Sequence, residues 1–155
     1  MTQNLGTDSA PAAVSDEWKG RFATLTFERD VAAPLTVLWE VWTAPAARAI
    51  WAAPSPSVTV EFLEIDTRVG GREVSLCKVE GYPDIRSESG WLELQPARCS
   101  VNYEVISSEG VTQSVALVTA DISGTQERSR LVLTVQLSSL AEDMEEGYRE
   151  GFDGA

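Results

Sequence analysis

At 155 residues the chain has room for one hydrophobic core, burying roughly 70% of the unfolded surface, and not for two. Its net charge of −12 repels phosphate backbones and anionic lipid surfaces, which argues against nucleic acid or a membrane as partner. Histidine is absent, which removes the usual acid–base and zinc-ligating side chain, and no apolar run approaches the ~20 residues of a membrane span.

The first nineteen residues lack both a basic start and an apolar segment, so they do not read as a secretory signal. They are expected to form a flexible tail, leaving 20–155 as a single domain. From Arg21 to Val31, Phe22, Thr24 and Thr26 alternate with Ala23, Leu25 and Phe27, the pattern of a first strand. Pro34 then opens a helix at its first position, and Leu35, Leu38, Trp39 and Trp42 recur at spacings of three and four on one face. Thr43 is placed to cap a second short helix, PAARAIW, which Trp51 closes and the prolines at 54 and 56 stop.

Val58, Val60 and Phe62 alternate with Thr59, Glu61 and Leu63 in a strand expected to reach Asp66. Gly70-Gly71 supplies a turn where positive backbone angles cost nothing, and Arg72–Val79 is its hairpin partner. Four further strands are expected over Ile85–Leu94, Cys99–Ile106, Thr112–Ile122 and Glu127–Leu137, separated by hairpin-like turns. In the last of these Leu131, Leu133, Val135 and Leu137 share one parity and mark a core face.

Ser139 with Glu142 forms an S-x-x-E capping box for a final helix on which Leu140, Met144, Tyr148 and Phe152 recur every fourth position. Gly147 and Gly151 each cost ~1 kcal/mol against alanine inside a helix, so a close approach by a sheet or ligand is expected there. The acidic excess of this stretch, with Arg149 as its one base, reads as a solvated helix face. The order is strand, two helices, about six antiparallel strands and a helix: an α+β fold in which a long C-terminal helix lies across a curved sheet. Such packing often leaves a cavity between helix and sheet.

These residues resemble the START-like (SRPBCC) superfamily and, within it, the family of domains like the activator of heat shock protein 90 ATPase. The resemblance is carried by Ala33-Pro34, Val41-Trp42-Thr43, Trp51, Glu64-Ile65-Asp66 with Arg68 and Gly70-Gly71-Arg72, and Gly90-Trp91-Leu92-Glu93-Leu94-Gln95-Pro96 with Arg98. It spans roughly Phe22 to Phe152 and implies a helix-grip (START/Bet v-like) fold with six to seven strands around the C-terminal helix. Two departures stand out. Ala52 occupies the place of a second tryptophan after Trp51, and the sequence ends at Ala155, where the family helix usually continues. Both bear on the expected wall and lid of the cavity.

No constellation of catalytic or metal-binding residues is present. Serine–histidine and cysteine–histidine nucleophile systems are excluded without histidine, and Cys77 and Cys99 lack zinc-ligand spacing. They read as reduced thiols, in keeping with a cytoplasmic protein, with Cys77 buried and inert. Glu61, Glu73, Glu88, Glu93 and Glu104 lie on strands and read as a wet face, while Arg72 and Arg86 are expected to pair with neighbouring glutamates rather than bind an anion. Gly70-Gly71 lacks the strand-to-helix context and lysine of a phosphate loop.

The expected cavity lining is Trp42, Trp51, Phe62, Cys77, Trp91, Tyr103, Tyr148 and Phe152. The resemblance implies a small apolar or aromatic molecule as ligand, and the residues themselves lead to the expectation of no cofactor and no metal. It also leaves open a chaperone partner, for a module like the ATPase activator, and a cyclase- or hydratase-type reaction using a group such as Tyr103 or Glu104. A homodimer through an uncovered sheet edge is a further expectation.

Overall fold

The computed structural model describes residues 20–53 and 55–153. The tail expected over 1–19, and Pro54 as a helix stop, lie outside the described residues. The elements run β1 (Arg21–Val31), α1 (Leu35–Thr43), α2 (Pro45–Trp51), β2 (Val58–Glu64), β3 (Arg72–Val79), β4 (Ile85–Gln95), β5 (Cys99–Ser108), β6 (Val111–Gly124), β7 (Ser129–Ser139) and α3 (Met144–Asp153). The fold is α+β, with one curved seven-stranded sheet in the order β1-β7-β6-β5-β4-β3-β2, antiparallel throughout.

Strands β2 to β7 form a meander, and β1 closes onto β7, so the two ends of the α1–α2 connection are the two sheet edges. Each turn has a local cause. Glu109 and Gly110 both take positive φ, at 51° and 78°, which gives the two-residue β5–β6 hairpin the twist its strands need. Gly70 has φ 80°, and a Cβ on Gly71 would lie 2.0 Å from the Asp66 carbonyl oxygen, so this double glycine is required by the backbone itself. Register shifts at Phe62/Glu64, Trp91/Glu93 and Ile106/Ser107 mark bulges, which bend the strands that carry them.

Parity divides the sheet's inner face into two halves. On β1, β7 and β6 the inward residues are apolar: Leu25 and Phe27, Leu131 to Leu137, and Ala116 to Ile122. Leu38 and Trp42 of α1 and Tyr148 of α3 cover them, completing the buried core. On β3, β4 and β5 the same inward row is instead polar, with Glu73, Ser75, Ser87, Ser89, Asn102 and Glu104. Hydroxyls and carboxylates cannot pack into a dry core without partners, and this half holds the cavity.

Three local expectations are corrected. Thr43 does not cap α2. It is the last residue of α1, and its Oγ1 donates to Trp39 O at 2.8 Å, while Pro45 begins α2. Pro34 precedes α1 as its N-cap rather than occupying its first turn. Ser139 does not start the final helix: it still pairs with Arg21 and Ser114 in the sheet, and Leu140 and Ala141 donate their N–H groups to Gln113 O. The sheet ladder wins over the capping box, and Asp143, at φ 65°, delays the helix to Met144.

The C-terminal helix is consequently short, ten residues packed on β1 and β7, and not a long helix across the whole sheet. Leu140 lies outside it and is exposed. The close approach expected at Gly147 and Gly151 is absent, since a Cβ on either would meet nothing within 4 Å. Other strand bounds differ by one or two residues: β2 ends at Glu64 rather than Asp66, β4 runs to Gln95 and β5 to Ser108, β6 spans Val111–Gly124, and β7 spans Ser129–Ser139.

Candidate functional site

A cavity of about 210 Å³ lies between the α1–α2 segment and the polar half of the sheet. Its walls are aromatic. Trp42 and Trp51 stack with ring centroids 4.9 Å apart and planes 9° from parallel, joining α1 to α2. The helical spacing turns Trp42 inward, where its Nε1 donates to Ser100 Oγ at 2.9 Å, and Trp51 Nε1 donates to Val41 O at 2.8 Å. Both indole N–H groups are thus satisfied away from the cavity. Phe62 and Trp91, each beside a bulge, face in from the sheet, and Phe152 enters from α3.

Six of the eight residues expected to line a pocket therefore meet at one cavity: Trp42, Trp51, Phe62, Cys77, Trp91 and Phe152. Tyr148 stands behind it, with its hydroxyl donating to Glu104 Oε1 at 2.6 Å. Tyr103 does not belong to the cavity. Register places it with Leu117 and Gln136 on the opposite face, where its ring covers Gly90; a Cβ there would lie 2.5 Å from the Tyr103 ring. An aromatic laid across a cross-strand glycine is a sheet-stabilising device, which accounts for the pair. The cavity is also displaced from the expected place under the C-terminal helix, because α3 contributes to it only through Phe152.

Several contributors were not foreseen. Arg48, three residues before Trp51 on α2, projects between the Phe62 and Trp91 rings, its guanidinium carbon 5.2 and 5.3 Å from their centroids. Its Nη1 lies 2.6 Å from Glu73 Oε2, and Glu73 is 2% exposed. The pair is coulombic and lacks hydrogen-bond alignment, and neither atom has another partner among the described residues. Glu73 Oε1 accepts from Trp91 Nε1 at 2.8 Å and from Thr67 Oγ1 at 3.2 Å. Glu73 is thus a buried, paired group rather than part of a wet face. Its parity with Cys77 in β3 was the available signal.

Glu104 shares the inward row with Glu73 and Ser89, whereas Glu61 and Glu88 face outward. On that outer face Arg72 pairs with Glu64 and Glu88, Arg86 with Glu88 and Lys78 with Glu61. Arg86 and then Arg72 hold the Glu88 carboxyl below its usual range. The expected pairing of Arg72 and Arg86 is what the structure contains, so neither offers a free cation. Cys77 is half-buried in the cavity wall, and burial, aided by the Asp84 charge, pushes its thiol up and keeps it protonated.

Among the described residues no group of three or more Cys, Asp and Glu is placed to hold a metal ion, and no helix is long and apolar enough to cross a membrane. The arrangement provides an aromatic enclosure with a polar floor.

No protein-family model matches the chain, and no curated protein matches it. Solved structures do. An uncharacterised Rhizobium leguminosarum protein aligns with a TM-score of 0.74 at 21% identity, covering 88% of this chain and 93% of its own. A Rhizobium loti protein aligns with a TM-score of 0.74 at 23% identity, covering 88% and 96%. A Chromobacterium violaceum protein aligns with a TM-score of 0.68 at 19% identity, covering 85% and 91%. At these identities the likeness establishes the fold alone.

Proposed function

We propose that this is a START-like, helix-grip binding protein that holds a small aromatic or apolar molecule in the cavity between the α1–α2 segment and the sheet. The observation that carries the reading is the convergence of three tryptophans and two phenylalanines from both helical segments and the sheet on one cavity of about 210 Å³. Random core aromatics would fill their own space, and these do not. A dry cavity of about 150 Å³ is large enough to bind benzene, while drug-sized ligands occupy about 300–1,000 Å³. The space thus suits a single-ring compound better than a long-chain lipid or a polyketide.

Catalysis has little to build on. Glu73 is committed to Arg48 and Trp91, Cys77 is held as a thiol, and Tyr103 lies on the other face. Binding is therefore the function that the chemistry supports.

A thermal-shift screen with single-ring aromatic acids, alcohols and amines, followed by tryptophan fluorescence titration, tests the proposal. Ligand at 100 times its Kd stabilises by about 2.7 kcal/mol, which raises Tm by about 5–10 °C in a domain of this size. Fluorescence changes with it, because Trp42, Trp51 and Trp91 line the cavity. A screen in which no compound moves either signal rejects the proposal.

A further inference from the structure

Three charged side chains face the cavity: Arg48, Glu73 and Glu104. The first two neutralise each other at 2.6 Å. Glu104 has no such partner. Its Oε1 accepts from the Tyr148 hydroxyl at 2.6 Å and its Oε2 from Ser87 Oγ at 3.1 Å, both neutral donors. Among the described residues no lysine or arginine lies within 4 Å of it, while Arg72, Arg86 and Lys78 are engaged on the outer face. An ionised carboxylate offers about four acceptor positions, so roughly two stay open.

The cavity is thus a mostly aromatic enclosure carrying one uncompensated negative charge. Electrostatics then ranks its occupants. An anion is repelled by Glu104 and finds Arg48 already neutralised. A neutral ring gains burial only. A cation gains burial and an ion pair with Glu104 in a partly desolvated setting. The whole-chain charge of −12 adds long-range attraction for the same sign.

We infer that the cavity selects a small aromatic molecule carrying a protonated amine, its ring among the tryptophan and phenylalanine walls and its ammonium donating to Glu104. Ser89 and Asn102, which flank Glu104 on the cavity floor, supply further acceptors for the ammonium hydrogens. The inference rests on the proposed binding function and narrows it to one charge class.

The test compares phenethylamine, phenethyl alcohol and hydrocinnamate, which share a ring and differ in the charge of the end group, by tryptophan fluorescence titration and calorimetry at neutral pH. The amine is expected to bind at least about tenfold tighter than the alcohol, equivalent to about 1.4 kcal/mol, and hydrocinnamate more weakly than either. In Glu104→Gln, which keeps an oxygen for Tyr148, the amine falls to the affinity of the alcohol. Equal binding of amine and alcohol to the unaltered protein overturns the inference and leaves the aromatic pocket standing. A preference for the amine that survives in Glu104→Gln removes Glu104 as its cause and also overturns it. Failure of all three compounds to bind overturns the inference, and the broader screen above decides the binding function separately. The comparison in the unaltered protein holds whether or not the variant folds.

Discussion

Arg48 and Glu73 show how much one buried pair asks of its surroundings. Glu73 is enclosed at 2% exposure, and its charge is matched by Arg48 and by the indole N–H of Trp91. Removing one partner of such a pair strands the other, a loss of about 3–5 kcal/mol, whereas replacing both with apolar or neutral groups can cost far less. Arg48→Met is therefore expected to destabilise by about 3 kcal/mol in urea unfolding, and Arg48→Met/Glu73→Gln by clearly less. A double variant no more stable than Arg48→Met would show that the guanidinium packing between Phe62 and Trp91, rather than charge, is what matters. Neither residue stood out in the sequence, because a lone arginine on a short helix and a strand glutamate each have an ordinary surface reading. Their contact joins positions 25 apart in sequence, and only the docking of α2 against β2, from which Arg48 reaches Glu73 on β3, brings them together.

Among the elements, the strands were the most legible. Alternation placed Arg72–Val79 at both ends as observed and identified Leu131, Leu133, Val135 and Leu137 as the buried face of β7. Helix ends were read less well, since capping signals at Thr43 and Ser139 compete with other uses of the same hydroxyls. The final helix makes the point in energy. Gly147 and Gly151 face open space, so their flexibility serves no close contact, and alanine there should remove a backbone-entropy penalty. Gly147→Ala and Gly151→Ala are each expected to stabilise by about 0.5–1 kcal/mol, read as a Tm rise of about 1–4 °C. A fall in Tm at either position would reveal a packing partner for the glycine face.

For the whole molecule, alkaline pH tests how the helix and the sheet are joined. Tyr148 is buried beneath α3 and beside Glu104, and both burial and that charge push its phenol up, out of its ordinary range near 10. A folded pKa above the unfolded value means that the stabilising contribution is intact below about pH 10. Above it the unfolded chain ionises first and stability falls, at up to about 1.4 kcal/mol per pH unit for this one group. Urea unfolding between pH 9 and 11 should show that decline, and Tyr148→Phe should flatten it while losing about 1 kcal/mol at neutral pH with the hydrogen bond to Glu104. A slope unchanged in Tyr148→Phe would assign the alkaline loss to other groups, such as Lys78, whose ion pair with Glu61 is exposed.

Periodicity and turn chemistry act over a few residues. The amino-acid order by itself therefore determined the α+β class, the antiparallel strands, the helical face carrying Trp42 and the double-glycine turn. It also determined the absence of histidine chemistry, and the aromatic set of which five members now meet at the cavity beside Cys77. Register across the sheet and the docking of α2 decided the rest. They set Tyr103 over Gly90 on the outer face, turned Glu73 and Glu104 inward, and ended β7 late enough to shorten the last helix. A one-residue change of pairing would exchange the two faces, and no local pattern encodes which strands become neighbours. For that reason the aromatic walls could be read from the chain, while the charge on the cavity floor emerged only from the assembled sheet.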